Sequence, residues 1–206
     1  MQITLQQLGK RYNRDWIFKG LSKTLLPGKS YAITGANGSG KSTLLQVIAG
    51  SLLHSEGEIL YSDIKNQPVK NEEAFLHISL AAPYLELIEE MTARELLEYH
   101  SKFKPLSTGI DNILEQTGLQ QSAEKQIRFF SSGMKQRLKL GQAFFSNTSV
   151  LMLDEPTTNL DESGIQLYKS LIANHTNNRL VIVCSNDRNE YDFCEEVISV
   201  EDYKNT

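Results

Sequence analysis

Nine consecutive residues, Gly35-Ala36-Asn37-Gly38-Ser39-Gly40-Lys41-Ser42-Thr43, have the types and spacing that hold a polyanion. Glycines let successive backbone N–H groups turn inward around a phosphate, and a helix that starts at the end of the loop aims its positive end at the same point. Lys41 supplies a mobile cation for the β- and γ-phosphates, and Ser42 a hydroxyl for Mg²⁺. The pattern G-x-x-x-x-G-K-[ST] is informative only between a strand and a helix. That context is present. Residues 30–34 read as a buried strand, residues 42–49 as a helix, and Gly50 stands where a helix C-terminal glycine belongs. The expected ligand is a nucleoside triphosphate with Mg²⁺.

Two further segments carry chemistry. The apolar run Val150–Leu153 ends in Asp154 and Glu155, and ligands of open α/β sheets gather at the carboxyl ends of strands. Asp154 is expected to share a hydrated Mg²⁺ with Ser42, and Glu155 to polarise the attacking water as a general base. Without the phosphate loop upstream, the pair would be an ordinary acidic strand-to-loop transition. The second segment is Ser131-Ser132-Gly133-Met134, followed by basic and apolar residues. Alone it reads as a capped helix start. A serine cap with free N–H groups is also an anion site. Residues 35–43 already serve the chain's own phosphates, so a second such site makes sense if it closes on the nucleotide of another subunit.

The elements that position these groups alternate. Residues 2–8 and about 14–26 read as strands, Pro27-Gly28 as a turn and residues 57–61 as a strand; the stretch Glu73 to Ala82 reads as another, ending at Pro83. From about 84 to 147 the pattern turns helical. Thr92 and Glu95 make a capping box, Asp111 opens a second helix that Gly118 closes, and Ser132 onward gives a third. Residues 149–153 and 180–184 are continuous apolar runs, as central parallel strands covered on both faces require, and residues 196–200 read as a last short strand. The order implies a mostly parallel α/β core with a small antiparallel sheet before it and a helical insertion within it.

The bulk properties narrow the function. The 206 residues fit one domain, and a formal net charge of −4 offers no positive field, so no nucleic acid is expected as a partner. Cys184 and Cys194 read as reduced thiols, and His54, His77, His100 and His175 as surface or boundary residues. No stretch approaches the roughly 20 apolar residues of a membrane span, and residues 1–5 read as a first strand. The expectation is a cytoplasmic protein, held at the inner face of a membrane only through a partner.

Together these segments resemble the ATP-binding subunit of an ABC transporter over nearly the whole chain. Residues 35–43 resemble the Walker A motif, 150–155 the Walker B motif, Ser131–Met134 the signature that is usually Ser-Gly-Gly-Gln, and Thr158–Asp161 the D-loop. The resemblance implies a P-loop NTPase core, with an N-terminal antiparallel β subdomain and a helical subdomain at about 84–147. Tyr12 lies where the family places an adenine-stacking aromatic, with Trp16 as the second candidate. In the family two subunits sandwich two ATP molecules, which implies a second nucleotide-binding subunit, as a homodimer, and a separate membrane permease.

Two positions depart from the pattern. Ala82 stands where the family has a glutamine that contacts Mg²⁺ and water, and Asn186 where it has a histidine on the γ-phosphate. Alanine has no polar side-chain atom, and asparagine can donate a hydrogen bond without carrying positive charge. Losing one donor aimed at transition-state charge costs about 2.7–4 kcal/mol. Binding is therefore expected to survive better than turnover, leaving slow or partner-dependent hydrolysis. The alternatives are a soluble ABC-type ATPase and a regulatory nucleotide clamp. Tyr84, Leu85, Leu87 and Ile88 are placed where the family receives its membrane subunit, and either form that docking surface or pack internally.

Overall fold

The computed structural model describes residues 1–204. Strands β1 (Gln2–Tyr12) and β2 (Asp15–Leu25) form an antiparallel hairpin whose tip Asn13 turns with φ 54°. Asparagine is among the side chains that tolerate this left-handed conformation. After β3 (Ser30–Thr34) and helix α1 (Lys41–Ile48), strand β4 (Glu56–Ser62) pairs with the other side of β1. With the two-residue β5 (Pro68–Val69) it completes a sheet of order β2-β1-β4-β5.

The second sheet is parallel throughout. β6 (Ile78–Ala81), β7 (Val150–Asp154), β8 (Leu180–Cys184) and β9 (Glu196–Ser199) join β3 in the order β6-β7-β8-β3-β9. The chain between β6 and β7 carries α2 (Ala93–Ser101), α3 (Ile110–Gln116) and α4 (Ser132–Phe145); α5 (Glu162–His175) and α6 (Arg188–Tyr191) follow β7 and β8. The expected α/β class with its two sheets is what the structure shows.

The unbroken apolar runs have a direct structural cause. Val150, Met152, Leu180 and Ile182 face one core with α1 and the antiparallel sheet, while Leu151, Leu153, Val181 and Val183 face the other with α2–α5. A strand buried on both faces has no position left for a polar residue. Each such side chain contributes roughly 1.5–3 kcal/mol relative to an exposed one. The polar chemistry is thereby confined to the strand ends.

One expected element is corrected. The stretch from Glu73 to Ala82 is not a single strand: residues Asn71–His77 form a 3₁₀ turn, and only Ile78–Ala81 join the sheet. Ala74 is buried while Phe75 and Leu76 stay exposed, so the segment lacks the alternation or continuous burial that a strand needs, and Glu72 and Glu73 sit in the turn's opening. Helix α5, capped by Asp161 on the Gly164 N–H, is a further element beyond the expected ones.

The end of α4 is fastened to the sheet by polar groups. The Arg179 guanidinium, nearly buried, donates to the carbonyl oxygens of Phe144 (2.9 Å) and Ala143 (3.3 Å) and to the hydroxyls of Ser79 (2.7 Å) and Thr148 (2.8 Å). Nearby, Ser146 Oγ donates to Gln142 O at 2.6 Å and lies 2.8 Å from His100 Nε2, so Nε2 is the protonated nitrogen of a neutral imidazole. Burial, with the Lys104 charge second, pushes His100 down to about 4. The unfolded ring, with a pKa of about 6.5, binds a proton that the folded ring refuses, so this contribution to stability is complete above about 6.5 and is lost as pH falls towards 4. Urea midpoints measured across that window should fall with pH, and more steeply in wild type than in His100→Gln. Equal slopes would mean that His100 is not the group responsible.

Candidate nucleotide-binding site

The register of the parallel sheet places the chemistry. Ile33 of β3 and Asp154 of β7 both pair with Cys184 of β8, and Ala81 of β6 pairs with Leu153. The ends of β3, β8, β7 and β6 therefore stand in one row, with strands about 4.8 Å apart. The loop 35–40 leaves β3, Asn186 follows β8, Asp154 and Glu155 close β7, and Ala82 follows β6.

Sequence chemistry shapes the loop. Gly40 has φ 106°, and a Cβ there would lie 2.1 Å from Cγ2 of Ile17 on β2; at Gly35, φ 142°, it would lie 2.6 Å from Ser39 Oγ. Neither position accepts an L side chain without a shift. Lys41 Nζ donates to the carbonyl oxygens of Gly35 (2.8 Å) and Ala36 (3.3 Å), folding its ammonium back over the loop. Ala36 N–H donates to Glu201 Oε1 at 3.0 Å. A cleft of about 250 Å³ opens between Ile17, the loop residues Asn37, Gly38 and Gly40, α1 at Lys41–Thr43, and Glu155.

Asp154 is the most telling side chain. It is only 2% exposed, and neither carboxylate oxygen has a well-formed hydrogen-bond partner. Burial raises its pKa, the charges of Glu155 and Glu190 add to that, and the Ser42 hydroxyl and Lys41 ammonium pull the other way. A buried carboxylate lacking partners costs several kcal/mol unless a cation joins it. Ser39 Oγ is likewise buried and unpaired. One carboxylate, one hydroxyl and a phosphate-sized cradle match the needs of Mg²⁺, which takes one or two protein oxygens and completes its octahedron with phosphate and water. Among the described residues, no group of three His, Cys, Asp or Glu is arranged to hold a metal by itself.

Glu155 departs from the strand at φ 42°, a strained value for a glutamate, with its N–H on Cys184 O at 2.8 Å; its side chain is exposed and lines the cleft. Such strain persists only where neighbours enforce it. Asn186 Nδ2 donates to Asn37 Oδ1 at 3.0 Å, so the residue after β8 touches the phosphate loop. Tyr12 sits exposed beside the hairpin tip, paired with Asp15 and with Lys10 Nζ 4.8 Å from its ring; Trp16 is half-buried between Arg11 and Lys19.

The segment 131–134 lies elsewhere. Ser131 Oγ accepts the Met134 N–H at 3.2 Å as the cap of α4. A separate cleft of about 690 Å³ joins Ser131–Met134 to Asn159, Asp161 and the turn at Gly118. Gly133 packs so closely that a Cβ would lie 3.0 Å from Asn159 O, and Arg137 Nη2 bonds Asp161 (3.0 Å) and Ser163 (2.6 Å). This cleft shares no lining residue with the phosphate cleft. Residues 84–88 divide. Leu87 packs on the helical core, whereas Tyr84 and Ile88 are 43% and 41% exposed.

A family model described as "ABC transporter" matches residues 18–158. The chain belongs to the ABC transporter family. It is 28% identical over 191 residues to the uncharacterized ABC transporter ATP-binding protein YybJ of Bacillus subtilis, covering 91% of this chain and 86% of YybJ. It is 30% identical over 184 residues to the cytochrome c biogenesis ATP-binding export protein CcmA of Rhizobium etli, covering 85% and 83%. A dimeric ATP-binding cassette solved in a post-hydrolysis state with ADP and Pi has the same fold, with TM-score 0.79, 24% identity and coverage of 96% and 93%.

The unpartnered carboxylate makes a prediction about stability. Asp154→Asn removes a buried charge that the fold disfavours at neutral pH, so the ligand-free variant should resist urea better than wild type by on the order of 1–2 kcal/mol. Mg²⁺ should then no longer strengthen its ATP binding in calorimetry. A less stable variant would show that the Ser42 hydroxyl and Lys41 already compensate the Asp154 charge.

Proposed function

We propose that residues 1–206 form one nucleotide-binding domain, with its helical part at about 84–147. In this reading the chain is the ATP-binding and ATP-hydrolysing motor subunit of an ABC transporter. Two copies close on ATP, and that closure drives a separate membrane permease. One observation carries the reading: the phosphate loop and the helix start at 131–134 lie in clefts that share no residue. Two copies facing each other supply both halves to each nucleotide, and the dimeric state of the structural neighbour supports a pairing of copies.

The roles follow from position. The N–H groups of residues 35–43 cradle the phosphates, and Lys41 exchanges its loop carbonyls for phosphate oxygens. Ser42 and Asp154 hold Mg²⁺, which when bound neutralises charge on the β- and γ-phosphates. Glu155, exposed at the cleft, takes the proton of the water that attacks phosphorus. Ser131, Ser132, Gly133 and Met134 close on the partner's nucleotide, and Tyr12 stacks on adenine. Asn186 steadies the loop through Asn37 and brings no positive charge. Slow turnover follows from that substitution and from Ala82.

Exposed Ile88 and the 700 Å³ cleft beside it, between residues 83–90 and the α4 lysines Lys135 and Lys139, receive the permease. The subunit then works at the cytoplasmic face of the membrane. No described helix is long and apolar enough to cross it, and the net charge of −4 speaks against nucleic acid as a partner.

Steady-state phosphate release tests the motor. Glu155→Gln should cut turnover at least about a hundredfold while retaining ATP binding, and in sedimentation it should become dimeric with MgATP. Asn186→His should raise turnover severalfold by adding a cation. If wild type and Glu155→Gln bind ATP and turn over equally slowly, the motor reading fails in favour of the regulatory clamp.

A further inference from the structure

Glu155 cannot hold its conformation unaided. Its φ of 42° lies in the left-handed region that a glutamate rarely adopts, and the proline that follows narrows its backbone further. Such a conformation persists only where the surroundings fix it. The Glu155 N–H donates to Cys184 O at 2.8 Å, and its carbonyl accepts the Thr158 N–H at 3.1 Å. The second bond closes a four-residue turn with Pro156 and Thr157 at its centre, the position where the fixed φ of proline is favoured. Thr157 has no positive φ, which excludes the type II form of that turn.

The central peptide of a turn is the unit that rotates between turn types while the closing bond stays in place. Here that peptide is gripped at both ends. Its carbonyl oxygen, Pro156 O, accepts Gln136 Nε2 at 2.8 Å, and its N–H, that of Thr157, donates to Glu190 Oε1 at 2.8 Å. The same Glu190 oxygen accepts the Thr157 hydroxyl. Both gripping side chains are buried, 3% and 4% exposed, and they come from different elements. Gln136 lies on α4, two residues beyond Met134; Glu190 lies on α6, four residues beyond Asn186. The Glu190 backbone is itself fixed, its N–H on Asp187 O (3.0 Å) and its carbonyl under the Tyr168 hydroxyl of α5 (2.6 Å). Burying an amide and a carboxyl group is costly unless each is hydrogen-bonded, and here both are directed at one peptide.

We propose that Gln136 and Glu190 are positioning residues for Glu155: by holding the Pro156–Thr157 peptide at its two ends, they lock the turn that presents Glu155 to the phosphate cleft. This rests on the reading of Glu155 as the general base. Neither side chain lines that cleft, so both act on Glu155 through the backbone. When either grip is lost the peptide is free to rotate, and Glu155 relaxes away from its strained φ. The phosphate loop and Asp154 take no part in the grip, so nucleotide binding is left intact. The same arrangement ties the first turn of α4, where Ser132–Met134 lie, to the base.

The test is a double-mutant cycle on phosphate release. Gln136→Met and Glu190→Met should each lower kcat about tenfold through misplacement of the base, with KM and calorimetric ATP affinity within about twofold of wild type. Glu190→Gln removes the charge but keeps an acceptor, and should return kcat to within about threefold of wild type. Repeated on Glu155→Gln, the two methionine substitutions should change the residual turnover by less than about twofold, because the group they position is already gone. Equal losses in both backgrounds would overturn the proposal, and so would an unchanged kcat in variants whose urea unfolding matches wild type. Should the methionine variants fail to fold, Gln136→Asn and Glu190→Asp, which draw the donor or acceptor back by one methylene, undergo the same comparison. If Glu155→Gln alone leaves turnover unchanged, the hydrolytic reading fails and the proposal with it.

Discussion

The row of strand ends Ile33, Cys184 and Asp154 is the constraint from which the site follows. Parallel strands buried on both faces exclude polar residues from their interiors, so ionisable groups collect where hydrogen bonding of the sheet stops. Asp154 is the last residue of β7, still within the low-dielectric interior, and its oxygens have no well-formed hydrogen-bond partner. Its cost is tolerable for a site that receives a divalent cation. The same burial that makes β7 a stable strand makes its terminal carboxylate want a metal.

Around that row the protein splits its binding groups between two surfaces. The phosphate loop belongs to the sheet, and Ile17 of the antiparallel sheet packs on it at Gly40. The helix start at 131–134 belongs to the helical part, tied to the 159–163 loop through Gly133 and Arg137. Thr157 is fixed in turn by Glu190, which accepts both its N–H, at 2.8 Å, and its hydroxyl. Movement of the segment after Glu155 therefore involves both α4 and the chain after β8.

Substitution at the two unusual positions has different consequences. Asn186 keeps a contact with the phosphate loop but brings no charge. Ala82, fully buried, brings nothing polar. One departure keeps a polar contact; the other keeps none.

Much of this was legible in the sequence because it is local. Glycine spacing at 35–40, the apolar runs at 150–153 and 180–184, and the cap at Thr92 each express a constraint within a few residues, and the structure shows the corresponding loop, strands and capping box. The strand expected from Glu73 failed because apolar content does not reveal which side chains find a core; Phe75 and Leu76 find none. Helix α5 lies outside the expected elements although its buried Tyr168, Leu171 and Ile172 have helical spacing. What only the tertiary structure decided is which distant groups meet: Asn186 with Asn37, Ile17 with Gly40, and Lys139 with Ala82. Those meetings depend on strand order, register and one clamped turn, and no window of sequence contains them.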